Sequence, residues 1–135
     1  MTEIKRLEEL RLEDFLWHIQ ESIRRVRAYT QELSQQEFLS NTLVQDAVDK
    51  NLEVIGEAAH NILRRYAHLV SKVDQIALGN AYKMRNVLIH GYFGVEHATV
   101  WDTIQSDLPA LKGQIDKMVA ERNAPGEKKP FKPTW

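Results

Sequence analysis

The feature that most constrains this chain is the helical spacing of its apolar residues, which recurs along most of its length. Leu12, Phe15, Leu16, Ile19, Ile23 and Val26 fall at i, i+3, i+4, i+7, i+11 and i+14. They form one stripe on a helix of roughly 20 residues ending near Gln31. No segment alternates apolar and polar residues as a strand would. The first proline is Pro109, so nothing before it forbids long helices.

The same reading places the other elements. Ser34-Gln-Gln-Glu37 has capping-box spacing and predicts a short helix. Asn41 is a good N-cap for a long helix whose apolar face is Val44, Ala47, Val48, Leu52, Ile55, Ala58, Ala59, Ile62, Leu63 and Tyr66. It should run to about His68, roughly 40 Å at ~1.5 Å per residue. Gly56 lies in its middle, where glycine costs about 1 kcal/mol against alanine, so close packing of another helix is expected there. From Ser71 the pattern weakens, and Gly79-Asn80 reads as a break with Asn80 capping a fresh helix through Tyr82, Met84, Val87, Leu88 and Ile89 to His90. Gly91 fits the position that stops a helix, with Tyr92-Phe93-Gly94 as a loop. A last helix spans about His97 to Arg122, with Pro109 starting a new turn or bend and Asp107 able to cap it. The expectation is an all-α up-down bundle of four to five helices, one domain over 1–123. A Pro/Lys-rich tail at 124–135 has no periodicity and is expected to be flexible.

The chain has 135 residues, enough for one core without covalent staples. Its 18 basic and 19 acidic residues give a net charge of -1, which argues against coating nucleic acid by bulk charge. One cleft that grips a few phosphates remains open. There is no cysteine, so disulfides, zinc-thiolate sites and thiol nucleophiles are excluded. The first 15 residues are charged, with no apolar signal region, and no run of about 18 apolar residues could span a membrane. A cytoplasmic protein without a membrane partner is expected.

The chemistry-bearing residues centre on Arg85-Asn86-Val87-Leu88-Ile89-His90-Gly91-Tyr92. Histidine can serve as acid or base near neutral pH, and arginine holds a phosphate in a fixed fork. Together they suffice for RNA cleavage without a metal. The plainer alternative is an arginine in a surface ion pair and a histidine at a helix C-terminus, where the dipole favours it. Five residues at ~100° each set Arg85 and His90 about 140° apart around a helix, whereas Asn86 and His90 share a face. Convergence therefore needs a distorted helix end or a second chain. Asp46, Asn51, Glu53 and Glu57 on the long helix could support Arg85 or His90, or simply form a polar face. Glu57 and His60 have a spacing found in carboxylate metal bundles, but no second such pair exists. His18, His68 and His97 read as lone structural or exposed histidines, and Phe15, Trp17 and Trp101 as core anchors.

Arg85, His90 and Tyr92 together give R-x4-H-x-Y, the hallmark of HepT-type toxins of the HEPN superfamily, which this sequence resembles. Asn86 matches the polar residue that usually follows the arginine. Further blocks resemble the family: Asp14-Phe-Leu-Trp-His-Ile, Gln45 through Ala59, His90 through Gly94 and Val100 through Pro109. The resemblance covers about residues 12–120, and the approach to the motif, Gly79 through Met84, departs from the usual pattern. It implies a helical bundle that dimerises around the Arg85–Tyr92 segment, with metal-independent endoribonuclease activity and no cofactor. Arg85 and His90 of both chains would line a shared cleft. It also implies a nucleotidyltransferase antitoxin that transfers AMP to Tyr92 and silences the toxin. A different reading of the same tyrosine is a non-catalytic helical binding module that accepts the modification.

Overall fold

A computed structural model describes residues 2–89 and 96–122. Five α-helices form among them: α1 Glu3–Thr30, α2 Gln35–Leu39, α3 Thr42–Arg65, α4 Lys72–Ile89 and α5 His97–Arg122. No strand occurs among the described residues. His90, the Gly91 stop, Tyr92, the 92–94 loop and the 124–135 tail lie outside the described residues.

The four long helices pack in the cyclic order α1, α3, α4, α5, and α2 rests on α3 and α5. Neighbours run antiparallel. Gly56 meets Arg85 while His60, four residues on, meets Tyr82, three residues back. Gln20 of α1 bonds Asp116 of α5 at 2.9 Å, and Phe38 of α2 packs on Trp101. The up-down bundle follows. Its core is one cluster drawn from all these helices, including Leu12, Leu16, Ile19, Leu52, Ile55, Ile62, Leu78, Leu108 and Ile115. Each such side chain contributes about 1.5–3 kcal/mol on burial.

Local chemistry explains most boundaries. The α2 capping box is complete: Glu37 N–H donates to Ser34 Oγ at 3.1 Å and Ser34 N–H to Glu37 Oε1 at 2.9 Å. Asn41 Oδ1 caps α3 by accepting from Val44 N–H at 3.0 Å. α3 ends at Arg65, short of His68, and the chain enters a 3-10 turn at Ala67–Leu69. Arg122 ties that turn to the end of α5 by donating to the Leu69 carbonyl at 2.7 Å.

Several expectations need correction. α1 begins at Glu3 with Thr2 as its cap, well before Leu12. Ile4 and Leu7 are exposed, so its first turns carry no buried stripe for periodicity to detect. α4 runs through Gly79-Asn80 without a restart. Ala77, Leu78, Ala81 and Leu88 keep one buried face across that point, and their burial outweighs the glycine. α5 spans His97–Arg122 as expected, with Pro109 inside it. Pro109 is exposed, and Ile104, Leu108, Leu111 and Ile115 hold the same stripe on both sides of it. Among the described residues the fully buried aromatic is Phe38; Trp17 is half-buried against the edge of His18, while Phe15 and Trp101 pack partly buried on the core.

Candidate active site

The seam between α3 and α4 holds Arg85, with Asn86 and Glu57 beside it. Its side chain is 16% exposed. The stem lies flat on Gly56: a methyl built there would stand 2.5 Å from Arg85 Cγ and 3.0 Å from Cδ, and nearer still to Cβ. Close helix packing was the expectation at Gly56, and the residue that fills the space is the arginine itself. At its tip, Nη1 donates to Asn86 Oδ1 at 3.2 Å, and Nη2 stands 3.9 Å from Glu57 Oε2. Arg85 Nε is buried without a hydrogen-bond partner among the described residues. An arginine held this way is desolvated along its stem and keeps free donors at its end, the condition for gripping a phosphate.

One turn toward the start of α4, Tyr82 stacks on His60 with ring centres 4.3 Å apart and planes 16° from parallel. This accounts for both halves of the Glu57/His60 pair. Glu57 faces Arg85 and His60 faces Tyr82. Among the described residues no three His, Cys, Asp or Glu side chains gather as metal ligands do.

The other acidic residues singled out on α3 are distributed differently. Glu53 borders a cavity of about 240 Å³ between α1 and α3 that Glu57 and His18 also line. Asp46 is exposed and lies eleven residues before Glu57, roughly 16 Å along the helix. Asn51 is buried and donates to the Ala47 carbonyl of its own helix at 2.8 Å. His18 sits 3.8 Å from Asp14; burial pushes its pKa down, and Asp14 opposes part of that shift.

Sequence reasoning missed one contact beside the motif. His97 Nε2 and Asp49 Oδ2 lie 2.9 Å apart, each side chain about one-fifth exposed. His97 is the first residue of α5, so this pair fixes to α3 the point where the chain leaves the motif segment. The two residues are 48 positions apart, and no local pattern joins them. His68 is exposed and meets Glu8 at 3.3 Å.

No helix among the described residues is long and apolar enough to cross a membrane. Residues 19–118 match the family described as Ribonuclease HepT-like. A relative named "Probable ribonuclease HepT", from Thermococcus cleftensis, is 36% identical over 105 residues, covering 78% of this chain and 93% of its own. A Methanocaldococcus jannaschii protein carrying an RNase name, MJ1216, is 34% identical over 107 residues, 79% of this chain and 86% of its own. A second protein of that organism, MJ0434, whose name joins gamma-glutamylcyclotransferase to RNase, is 35% identical over 107 residues but is covered over only 47% of its length. No solved structure gives a significant match. The match over residues 19–118 and these relatives establish that the chain belongs to the HepT-like ribonuclease family.

Proposed function

We propose that this ribonuclease is a metal-independent endoribonuclease, the toxin of a toxin–antitoxin pair, acting in the cytoplasm as a homodimer. The observation that supports this most is the setting of Arg85, seated on Gly56 with its guanidinium beside Asn86 and Glu57. The chemistry suited to these groups is internal transesterification. A base takes the proton from the 2′-OH, and the 2′-oxygen attacks phosphorus. The P–O5′ bond breaks, and the departing 5′-oxygen takes up a proton. The RNA is left with a 2′,3′-cyclic phosphate on one fragment and a 5′-hydroxyl on the other.

His90 is assigned the acid/base role and Arg85 the non-bridging phosphate oxygens, whose charge grows in the transition state. Asn86 steadies the guanidinium. Glu57 is 57% exposed and its ion pair with Arg85 is long, so an incoming phosphate can displace it. Of the acidic residues on α3, Glu57 is assigned the supporting role; Glu53 stands one turn back and Asp46 further off. The five-residue spacing of Arg85 and His90 favours a cleft shared by two copies. Val73, Ile76 and Val87, all at least 66% exposed along α4, offer an apolar stripe for the second chain. Tyr92 is assigned as the acceptor of AMP from a nucleotidyltransferase antitoxin, which would add bulk and negative charge at the mouth of the cleft.

The test uses purified, unmodified protein and RNA in EDTA. Arg85→Ala and His90→Ala are each expected to lower cleavage at least ~100-fold while the dimer persists. Wild-type cleavage by both variants would overturn the assignment. Intact mass after co-expression with the antitoxin should rise by one or more AMP units, and Tyr92→Phe should abolish that gain.

A further inference from the structure

We propose that Gly56 is a positioning residue for RNA cleavage: its missing side chain is the seat that aims the Arg85 guanidinium at the substrate phosphate. The inference rests on the reading of Arg85 as the phosphate contact.

Three observations carry it. First, the three heavy atoms nearest the space above Gly56 all belong to the arginine: Cβ, Cγ and Cδ. Gly79 and Gly113, also inside helices, have nothing within 4 Å of a built Cβ. Only at Gly56, among the three described glycines, does the fold itself demand a bare α-carbon, and the demand comes from the arginine stem. Second, polar contacts hold the guanidinium weakly. Nε has no partner among the described residues, Nη1 makes one hydrogen bond, and the Glu57 carboxylate is 3.9 Å away. Shape has to supply the aim that hydrogen bonds do not. Third, the seam admits a methyl group only by shifting α4, and the arginine moves with it. The His60–Tyr82 stack clamps α3 to α4 one turn away, and the Arg85 Cβ is fixed to the α4 backbone. Because that Cβ cannot rotate away, an alanine pushes α4 back from α3 at this point and carries the whole arginine stem off its seat. A displacement of about 1 Å at a reacting group is enough to cost on the order of 100-fold in rate.

The experiment compares Gly56→Ala, Arg85→Gly and the double variant in cleavage and in the salt dependence of binding to a single-stranded RNA. Gly56→Ala is expected to keep its helical content and lose about 100-fold in kcat/KM. Its log K against log salt slope should fall by about 0.7, the loss of one phosphate contact to a single strand. Arg85→Gly should show the same loss of slope, and adding Gly56→Ala to it should change binding no further. A role confined to helix packing would lower the folded fraction without moving the slope. A folded Gly56→Ala protein with wild-type rate and slope, beside a dead Arg85→Gly, overturns the inference. If Arg85→Gly itself cleaves normally, the phosphate reading fails and the seat falls with it. Should Gly56→Ala not fold, the double variant decides, because it moves the glycine across the seam. Folding restored there supports a clash with the arginine, and failure to fold in both overturns it.

Discussion

α3 touches the first residue of the motif and, further on, the first residue of α5, and it does so by two different means. At Gly56 it meets Arg85 through shape, with a bare α-carbon against a hydrocarbon stem. At Asp49 it meets His97 through a 2.9 Å polar contact. The two points are seven residues apart, on the same face of α3 and about 10 Å along it. One residue fixes the arginine that opens the motif, the other the first residue of α5. A steric seat is indifferent to salt and tolerates no added atom. A polar latch tolerates changes of volume but depends on keeping both partners. Under the role proposed for Arg85, holding the guanidinium by shape is an advantage, because phosphates cannot compete for a steric contact.

The latch gives the larger stability prediction. Asp49→Ala should destabilise the fold by about 1–3 kcal/mol, measured from urea unfolding midpoints, because it leaves a half-buried imidazole nitrogen without its acceptor. Asp49→Asn keeps an acceptor and should lose less. Cleavage should weaken as the start of α5 loosens, but the salt slope of RNA binding should stay at the wild-type value, since Arg85 keeps its seat. A fall in slope like that expected for Gly56→Ala would erase the distinction between the two anchors.

The seat gives a prediction of opposite sign elsewhere. Gly79→Ala places the same methyl group in open space in the middle of α4. It should stabilise the protein by roughly 0.4–1 kcal/mol, through helix propensity and a less flexible unfolded chain. Identical substitutions at two helical glycines would then differ in sign because only one faces an arginine. A destabilised Gly79→Ala would mean that the break expected from Gly79-Asn80 is partly real.

That break shows where sequence patterns reach and where they stop. Periodicity and capping chemistry are local, so the Asn41 cap, the Ser34/Glu37 box and the buried stripes of α1, α3 and α5 are legible directly. Local punctuation misleads when a buried stripe continues on both sides of it, as at Gly79-Asn80. The first turns of α1 escape because Ile4 and Leu7 bury nothing, leaving only propensity and the Thr2 cap to mark them. The site divides in the same way. Arg85 and Asn86 stand out as residue types next to each other, and Gly56 stands out as an anomaly in a helix. What occupies the gap at Gly56, and which acid faces His97, depends on the partner helix and has no signature within one segment. Phe38 is a similar case, since it packs on Trp101 and His97 of α5, far along the chain.

The smallest expected effect lies at His18, on the α1 side of the same long helix. Burial lowers its pKa below the ordinary value of 6.5, with Asp14 opposing. The folded state therefore binds fewer protons than the unfolded chain, and the stability linked to this group is fully present above pH 6.5. It is lost progressively as pH falls from there through the lowered folded value. Melting temperature should drop over that interval by an amount that His18→Gln removes. Asp14→Asn takes away the opposing carboxylate, so it should push the folded pKa further down and steepen the loss. Neither change should touch the Arg85 seat, whose contacts are a glycine and a hydrocarbon stem. RNA affinity followed across the same pH range would separate the two: the stability slope belongs to His18 on α1, and the phosphate grip to Arg85 on α4.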